Sequence, residues 1–295
     1  MIIGSHVSFD KDGLFTSVKE AVSYKANTFM FYTGAPQNSI RKPINKDSTL
    51  KAHNLMMENN IDINNVICHA PYIINLANTL KPDAYEFSKL FLKDEIKRCE
   101  ELGIKYIVVH PGNGLKLTKE EALNNISDAL NEVLKNDNDV MVLLETMAGK
   151  GTECGINIEE LKYILDHVIY QNKIGICLDT CHLNDSGVDL KFFDDYLDNF
   201  DKIIGISKIR CVHVNDSYNE ISSHKDRHAN IGYGTIGFDV LNKIVHHEKL
   251  KDVPKILETP YIEEMPPYKF EIEMFKNNSF NPNLEDDLRK FYKNL

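Results

Sequence analysis

A chain of 295 residues, 42% hydrophobic and 26% charged, can bury the core of one large α/β barrel, a fold of about 250 residues. No stretch approaches the roughly 20 apolar residues of a membrane span, and a formal charge of −10 at pH 7 argues against a protein that coats nucleic acid non-specifically. The opening MIIGSHVSFD enters a strand-like run without the basic and long apolar segments of a secretory signal, which predicts a cytoplasmic protein.

Short apolar runs predict strands at residues 2–4, 28–32, 66–69, 106–110, 140–146, 174–179, 209–215 and 256–259. Each leads into a polar or glycine-bearing loop, the pattern of parallel strands buried on both faces. Between the third and fourth, residues 84–102 carry Phe87, Leu90, Phe91 and Ile96 at helical spacing and stop at Gly103. Thr118 and Glu121 make a capping box ahead of the 122–134 periodicity, and Asn157 with Glu160 open the next helix. Residues 266–295 predict a final helix under the barrel, broken up by the Asn-rich stretch 277–283. Eight strand–helix alternations without a long linker predict one domain over 1–295, a TIM (β/α)8 barrel.

The six cysteines form no CxxC pair, and Cys68, Cys177 and Cys211 sit inside apolar runs, so reduced, structural thiols are expected. Cys181 lies between two candidate metal ligands, but the donor series is complete without it.

Nine side chains at or just beyond the strand ends are metal-binding types: His69, His110, Glu145, Asp179, His182, His213, Asp226, His228 and Glu258. One site needs about three or four protein ligands, so nine point to two or three metals sharing carboxylates, with zinc the best match to imidazole donors. In a barrel of this kind the catalytic groups sit at the C-terminal ends of the strands, so all nine are expected at one mouth. A carboxylate closing an aliphatic run, as Glu145 does in LLET and Glu258 in ILET, needs a cation to offset its desolvation. His6 is expected at the same mouth, orienting a ligand or touching phosphate. Such a cluster activates water against a phosphodiester, and that chemistry predicts a nuclease.

The loops carry groups suited to DNA. Gln37, Asn38 and Arg41 follow the second strand, Tyr72 offers a ring for stacking, and Lys150 and Arg227 offer charge to phosphate. Gly149, Gly151, Gly232 and Gly234 leave backbone amides accessible, and His224 lies in a charged loop.

The motifs GSHVS at 4–8, YTGAPQN at 32–38, HAPYIIN at 69–75, HPG at 110–112, LETMAGKGTECG at 144–155, CLDTCH at 177–182, HVNDS at 213–217, DRHANIGYGTIG at 226–237 and ILETPY at 256–261 resemble those of the endonuclease IV family, the bacterial apurinic/apyrimidinic endonucleases. The resemblance covers nearly the whole chain, and all nine ligand positions are filled. It implies three zinc ions, with manganese possible in part of the site. His69, His110 and Glu145 would hold one; Glu145, Asp179, His213 and Glu258 a second; His182, Asp226 and His228 the third. The implied reaction is hydrolysis 5′ to an abasic site in duplex DNA by a metal-activated hydroxide, leaving a 3′-hydroxyl and a 5′-deoxyribose phosphate. Trimming of blocked 3′ ends accompanies it, and a monomer suffices. Glu145 or Glu258 would accept the water's proton. The competing expectation is a metal-dependent sugar or sugar-phosphate isomerase on a related barrel, which would use fewer histidines.

Overall fold

Runs such as TFMF, YIVV and MVLLE lie extended and bury both faces, because each is flanked by a strand on either side and covered by a helix outside. The computed structural model describes residues 1–135 and 139–293. Its barrel strands are β1 (Ile3–His6), β2 (Thr28–Phe31), β3 (Ile67–His69), β4 (Tyr106–Val109), β5 (Met141–Glu145), β6 (Ile174–Asp179), β7 (Ile209–His213) and β10 (Lys255–Leu257). All pair in parallel in chain order, and β10 closes the ring on β1 with Ile3 opposite Lys255. A separate antiparallel ribbon, β8 (Asp216–Ser217) with β9 (His228–Ala229), stands beyond β7.

The helices are α1 (Leu14–Ser23), α2 (Lys46–Glu58), α3 (Pro82–Leu102), α4 (Lys119–Val133), α5 (Ile158–His167), α6 (Thr180–Ser186), α7 (Phe193–Ile203), α8 (Phe238–Val245), α9 (Tyr268–Asn277) and α10 (Leu284–Lys293). The Thr118–Glu121 capping box forms as expected, Asn157 caps α5 by accepting from the Glu160 amide, and Gly103 ends α3 at φ 78°. One expectation is corrected. Phe91 and Ile96 face the core, but Phe87 and Leu90 are 40% and 59% exposed, because the buried stripe of α3 runs through Leu92, Glu95 and Cys99 instead. The C-terminal region breaks within the Asn-rich stretch, as expected, and forms two helices, since Asn278 turns left-handed at φ 49° and closes α9.

Two layers of apolar packing result. The larger lies between strands and helices; a smaller one fills the barrel's interior with Met30, Ile67, Val108, Leu143, Cys177, Cys211 and Ile256, one from each strand after β1. On β1 the corresponding place falls to Gly4, where a Cβ would collide with the Thr28 carbonyl oxygen. All six cysteines are buried and none is in a disulfide. No helix among the described residues is long and apolar enough to cross a membrane.

Candidate metal centre

Side chains alternate along a strand, so the residue two places beyond each interior residue points the same way, one layer nearer the mouth. That rule selects Tyr32, His69, His110, Glu145, Asp179, His213 and Glu258, with His6 above Gly4 on β1. The mouth is thus ringed by eight side chains, six of them candidate ligands. His6 and Tyr32 fill the other two places, and the rings of Tyr32 and His6, and of Tyr32 and His69, sit 5.1 Å apart. The remaining candidates arrive from beyond the strand ends: His182 on α6, Asp226 just before β9, and His228 on it.

These nine residues gather into three groups whose donor atoms lie within 4.8 Å of one another: His69, His110 and Glu145; Glu145, Asp179, His213 and Glu258; and His182, Asp226 and His228. Glu145 Oε2 meets Nε2 of His69 and of His110 at 3.1 Å each, while its Oε1 meets His213 Nδ1 at 3.1 Å and His182 Nδ1 at 3.3 Å. His213 Nδ1 also faces Glu258 Oε2 at 3.0 Å, and His182 Nε2 faces Asp226 Oδ1 at 3.1 Å.

Backbone carbonyls fix several rings from behind. His69 Nδ1 donates to Ala70 O at 2.7 Å, His182 Nδ1 to Thr146 O at 2.8 Å, and His228 Nδ1 to Glu258 O at 3.2 Å. In each case the other ring nitrogen is left facing the cluster, which is how metal-binding imidazoles are commonly oriented. His228 Nε2 is buried without a hydrogen-bond partner, 3.5 Å from Asp226 Oδ1.

Burial opposes charge on Glu145, yet His213 and His110 outweigh it and hold the carboxyl well below the ordinary carboxylate range. Against the same burial, His213 lowers Glu258, and His182 brings Asp226 down to about 2. Burial, aided by the neighbouring His69 and His213 and opposed by Glu258, pushes His6 down to about 4, so that imidazole is neutral near pH 7. Carboxylates and imidazoles meet at about 3 Å across the positions a cation would take, and its uptake would release the protons they share. The donor set fits such ions: five imidazoles and four carboxylates converge, and a buried ring nitrogen has no other partner. Cys181 also comes within reach of Asp179 and His228, but burial raises its thiol and disfavours the thiolate a metal needs.

Of the residues expected to meet DNA, Gln37, Lys150 and Arg227 are exposed, Asn38 is partly so, and Tyr72 is 54% exposed. Tyr72, Lys150, His110 and Asp226 line one cleft of about 360 Å³ with Asn75 and Met147, and Lys150 Nζ stands 3.6 Å from Asp226 Oδ2. Arg41 stands apart. Its Nε donates to the buried Glu95 at 2.6 Å and one terminal nitrogen donates to the carbonyls of Ala35, Asn38 and Ile40. The guanidinium therefore braces the loop that carries Gln37 and Asn38 rather than facing outward. His224 is held at Ala148 O, 2.9 Å away.

Sequence reasoning passed over Asn215, although it lies inside a noticed motif. Its amide nitrogen donates to Asp179 Oδ2 at 2.8 Å, and its Oδ1 accepts from the Glu258 amide at 2.9 Å, so it ties two ring members together. Thr146 does the same between strands, accepting from the Asp179 amide at 2.9 Å while its carbonyl holds His182. The repeated Thr after each strand-ending Glu (LET at 144–146 and 257–259) was the available signal.

Residues 18–278 match the family model described as a xylose isomerase-like TIM barrel. The chain is 50% identical to a probable endonuclease 4 of Staphylococcus saprophyticus, covering 98% of this chain and 99% of the relative. Among solved structures it superposes on endonuclease IV from Thermus thermophilus with a TM-score of 0.81 at 27% identity, covering 94% of this chain and 98% of that one. A D-tagatose 3-epimerase-like protein gives 0.69 at 22% identity, with 94% and 96% covered, and there the likeness is one of fold alone.

Proposed function

The chain belongs to the endonuclease IV family, and on that premise we propose that it hydrolyses the phosphodiester 5′ to abasic sites in duplex DNA, leaving a 3′-hydroxyl and a 5′-deoxyribose phosphate. The observation that carries this reading is the set of three adjoining donor groups, two sharing Glu145 and the third meeting it through His182 Nδ1 at 3.3 Å. A sugar isomerase on the same barrel would need one or two cations and fewer imidazoles. Trimming of blocked 3′ ends is the expected companion activity.

His69, His110 and Glu145 would hold one cation, Glu145, Asp179, His213 and Glu258 a second, and His182, Asp226 and His228 the third. Zinc suits the mixture of imidazole and carboxylate, with manganese admissible in part of the site. When bound, the cations supply Lewis acidity and positive charge opposite the scissile phosphate. Glu258 is the better placed of the two glutamates to take the attacking water's proton: its side chain is 17% exposed and Glu145's is 1%. Lys150 and Arg227 flank the outermost group and would hold backbone phosphates. Tyr72 would stack where the missing base leaves a gap, which lowers the cost of drawing the nucleotide out of the duplex. Gln37 and Asn38 would contact DNA from the loop that Arg41 braces. One barrel completes the donor set, so a monomer acting in the cytoplasm is the simplest working form.

The test is incision of an end-labelled duplex bearing one abasic analogue, before and after chelation and with zinc restored. Cleavage 5′ to the lesion that vanishes on chelation and returns with zinc supports the proposal. A metal-replete chain that leaves the duplex intact overturns it and directs the search to sugar substrates.

A further inference from the structure

The loop leading into β9 has three non-glycine residues in the left-handed region at alternate positions: Ser222 at φ 64°, His224 at φ 54° and Asp226 at φ 59°. Side chains with a Cβ disfavour that conformation, so something must hold it. The end of α6 does so. Ser222 N donates to Asn184 O at 3.1 Å, His224 N to Asp185 O at 3.0 Å, and Asp226 N to the Asp185 carboxylate Oδ2 at 2.8 Å.

The Asp185 side chain is wholly buried and collects three further donors: Ser217 Oγ at 2.7 Å and Asn184 Nδ2 at 3.0 Å on Oδ1, and Asn219 Nδ2 at 3.0 Å on Oδ2. Its place in the sequence matters as much. Asp179 caps α6, His182 lies one turn in, and Asp185 lies three residues beyond His182. One short helix therefore carries a donor of the outermost group together with the carboxylate that sets the backbone of that group's Asp226. The pairing of His182 Nε2 with Asp226 Oδ1 at 3.1 Å bridges these two segments.

We infer that Asp185 is the positioning residue of the outermost donor group, fixing Asp226 against His182 while leaving the groups centred on Glu145 untouched. The inference rests on the metal-centre reading above. Asp185 meets no substrate; it acts through the main chain at 226. Alanine in its place removes both acceptor oxygens, so the contacts to Asp226 N and Asn219 Nδ2 are lost together, whereas an amide with its oxygen turned toward Asp226 keeps both.

The experiment counts cations rather than turnover. Metal-free chain is titrated with zinc against a chromophoric chelator, and bound zinc is determined by elemental analysis. D185A is expected to bind one equivalent about 10–100-fold more weakly, with the other equivalents and the far-ultraviolet circular dichroism as in the unaltered chain. Its kcat should fall by more than its KM changes. S217A removes a donor from Oδ1 and the acceptor of the Asn219 amide but leaves Oδ2 on Asp226 N, and should keep every equivalent. Should D185A fail to fold, N219A takes its place, with the same selective weakening expected. Unaltered affinity for every equivalent, or a parallel loss of all of them, would overturn the inference. An unaltered chain that takes up its full complement of zinc but leaves abasic DNA uncut would remove the nuclease proposal and leave this one standing.

Discussion

Glu258 and Arg41 show how much a side chain's role depends on what faces it. Glu258 is open to the mouth and paired with His213, so E258Q keeps shape and hydrogen bonding while removing a base. It should bind abasic duplex within a few-fold of the parent and lose about 10²–10⁴ in turnover; near-normal incision in single-turnover kinetics would reassign the proton acceptor. The two basic residues Lys150 and Arg41 should separate by salt. K150A removes a charge at the mouth and should lower the slope of log K against log salt by about 0.9. R41A should leave that slope alone, because its charge is spent on Glu95. It should instead destabilise the fold by about 3 kcal/mol, the cost of a buried carboxylate left without its partner. Equal slopes for R41A and K150A would place Arg41 on the DNA after all.

At the scale of elements, α9 reaches back to the loops after β9 and β10. Its Glu271 is fully buried, accepts from the Ile231 amide and Asn230 Nδ2, and is hydrogen-bonded to the Thr259 hydroxyl. Burial lifts its carboxyl to about 7, against the pull of those donors. An unfolded glutamate loses its proton near pH 4.3. Between there and about 7 the folded chain binds the extra proton, so this residue's contribution weakens as pH rises through that window and levels off above it. The swing is on the order of 3 kcal/mol. Denaturant melts of the parent and E271Q, compared at pH 5 and pH 8, should show the gap between them shifting in favour of E271Q at the higher pH. A gap that does not move would mean that the carboxyl titrates normally.

Elements also mark where the sequence was legible. Strands buried on both faces read as plain apolar runs, and a His or Glu closing such a run marks the mouth, so the six ring ligands stood out. Caps at Thr118, Asn157 and Gly103 were readable because their partners lie within four residues. What escaped depends on distant partners. Arg41 turns inward for a glutamate 54 positions away, and Glu271 serves a loop 40 positions away. The outward lean of Phe87 and Leu90 follows from which side of α3 meets the barrel, a choice made by packing and not by periodicity. His6 was legible at the same mouth, but Tyr32 shows itself as a ring member only from the interior layer beneath it.

For the whole molecule, metal content and stability should move together. A cation held at a thousandfold excess over its dissociation constant stabilises the folded state by about 4 kcal/mol, so chelation should lower Tm markedly while the helical dichroism at 25 °C persists. Differential scanning calorimetry with and without chelator measures this, and a Tm indifferent to metal would leave the donor groups as a purely ionic network. Stripping also leaves Glu145, Asp179, Asp226 and Glu258 crowded at the mouth of a chain already at −10. DNA affinity should therefore fall along with turnover.

The ring above the apolar floor takes a single side chain from each strand, and neighbouring positions on the same strands face the helices. A strand that paired one residue out of step would withdraw its ring member and present Cys68 or Ala70 in place of His69, or Leu144 or Thr146 in place of Glu145. The six ring donors come together only when β3 to β7 and β10 are all in register at once. Cation uptake would therefore proofread the barrel, sealing the chains that have assembled correctly and leaving slipped ones unsealed and open to proteolysis.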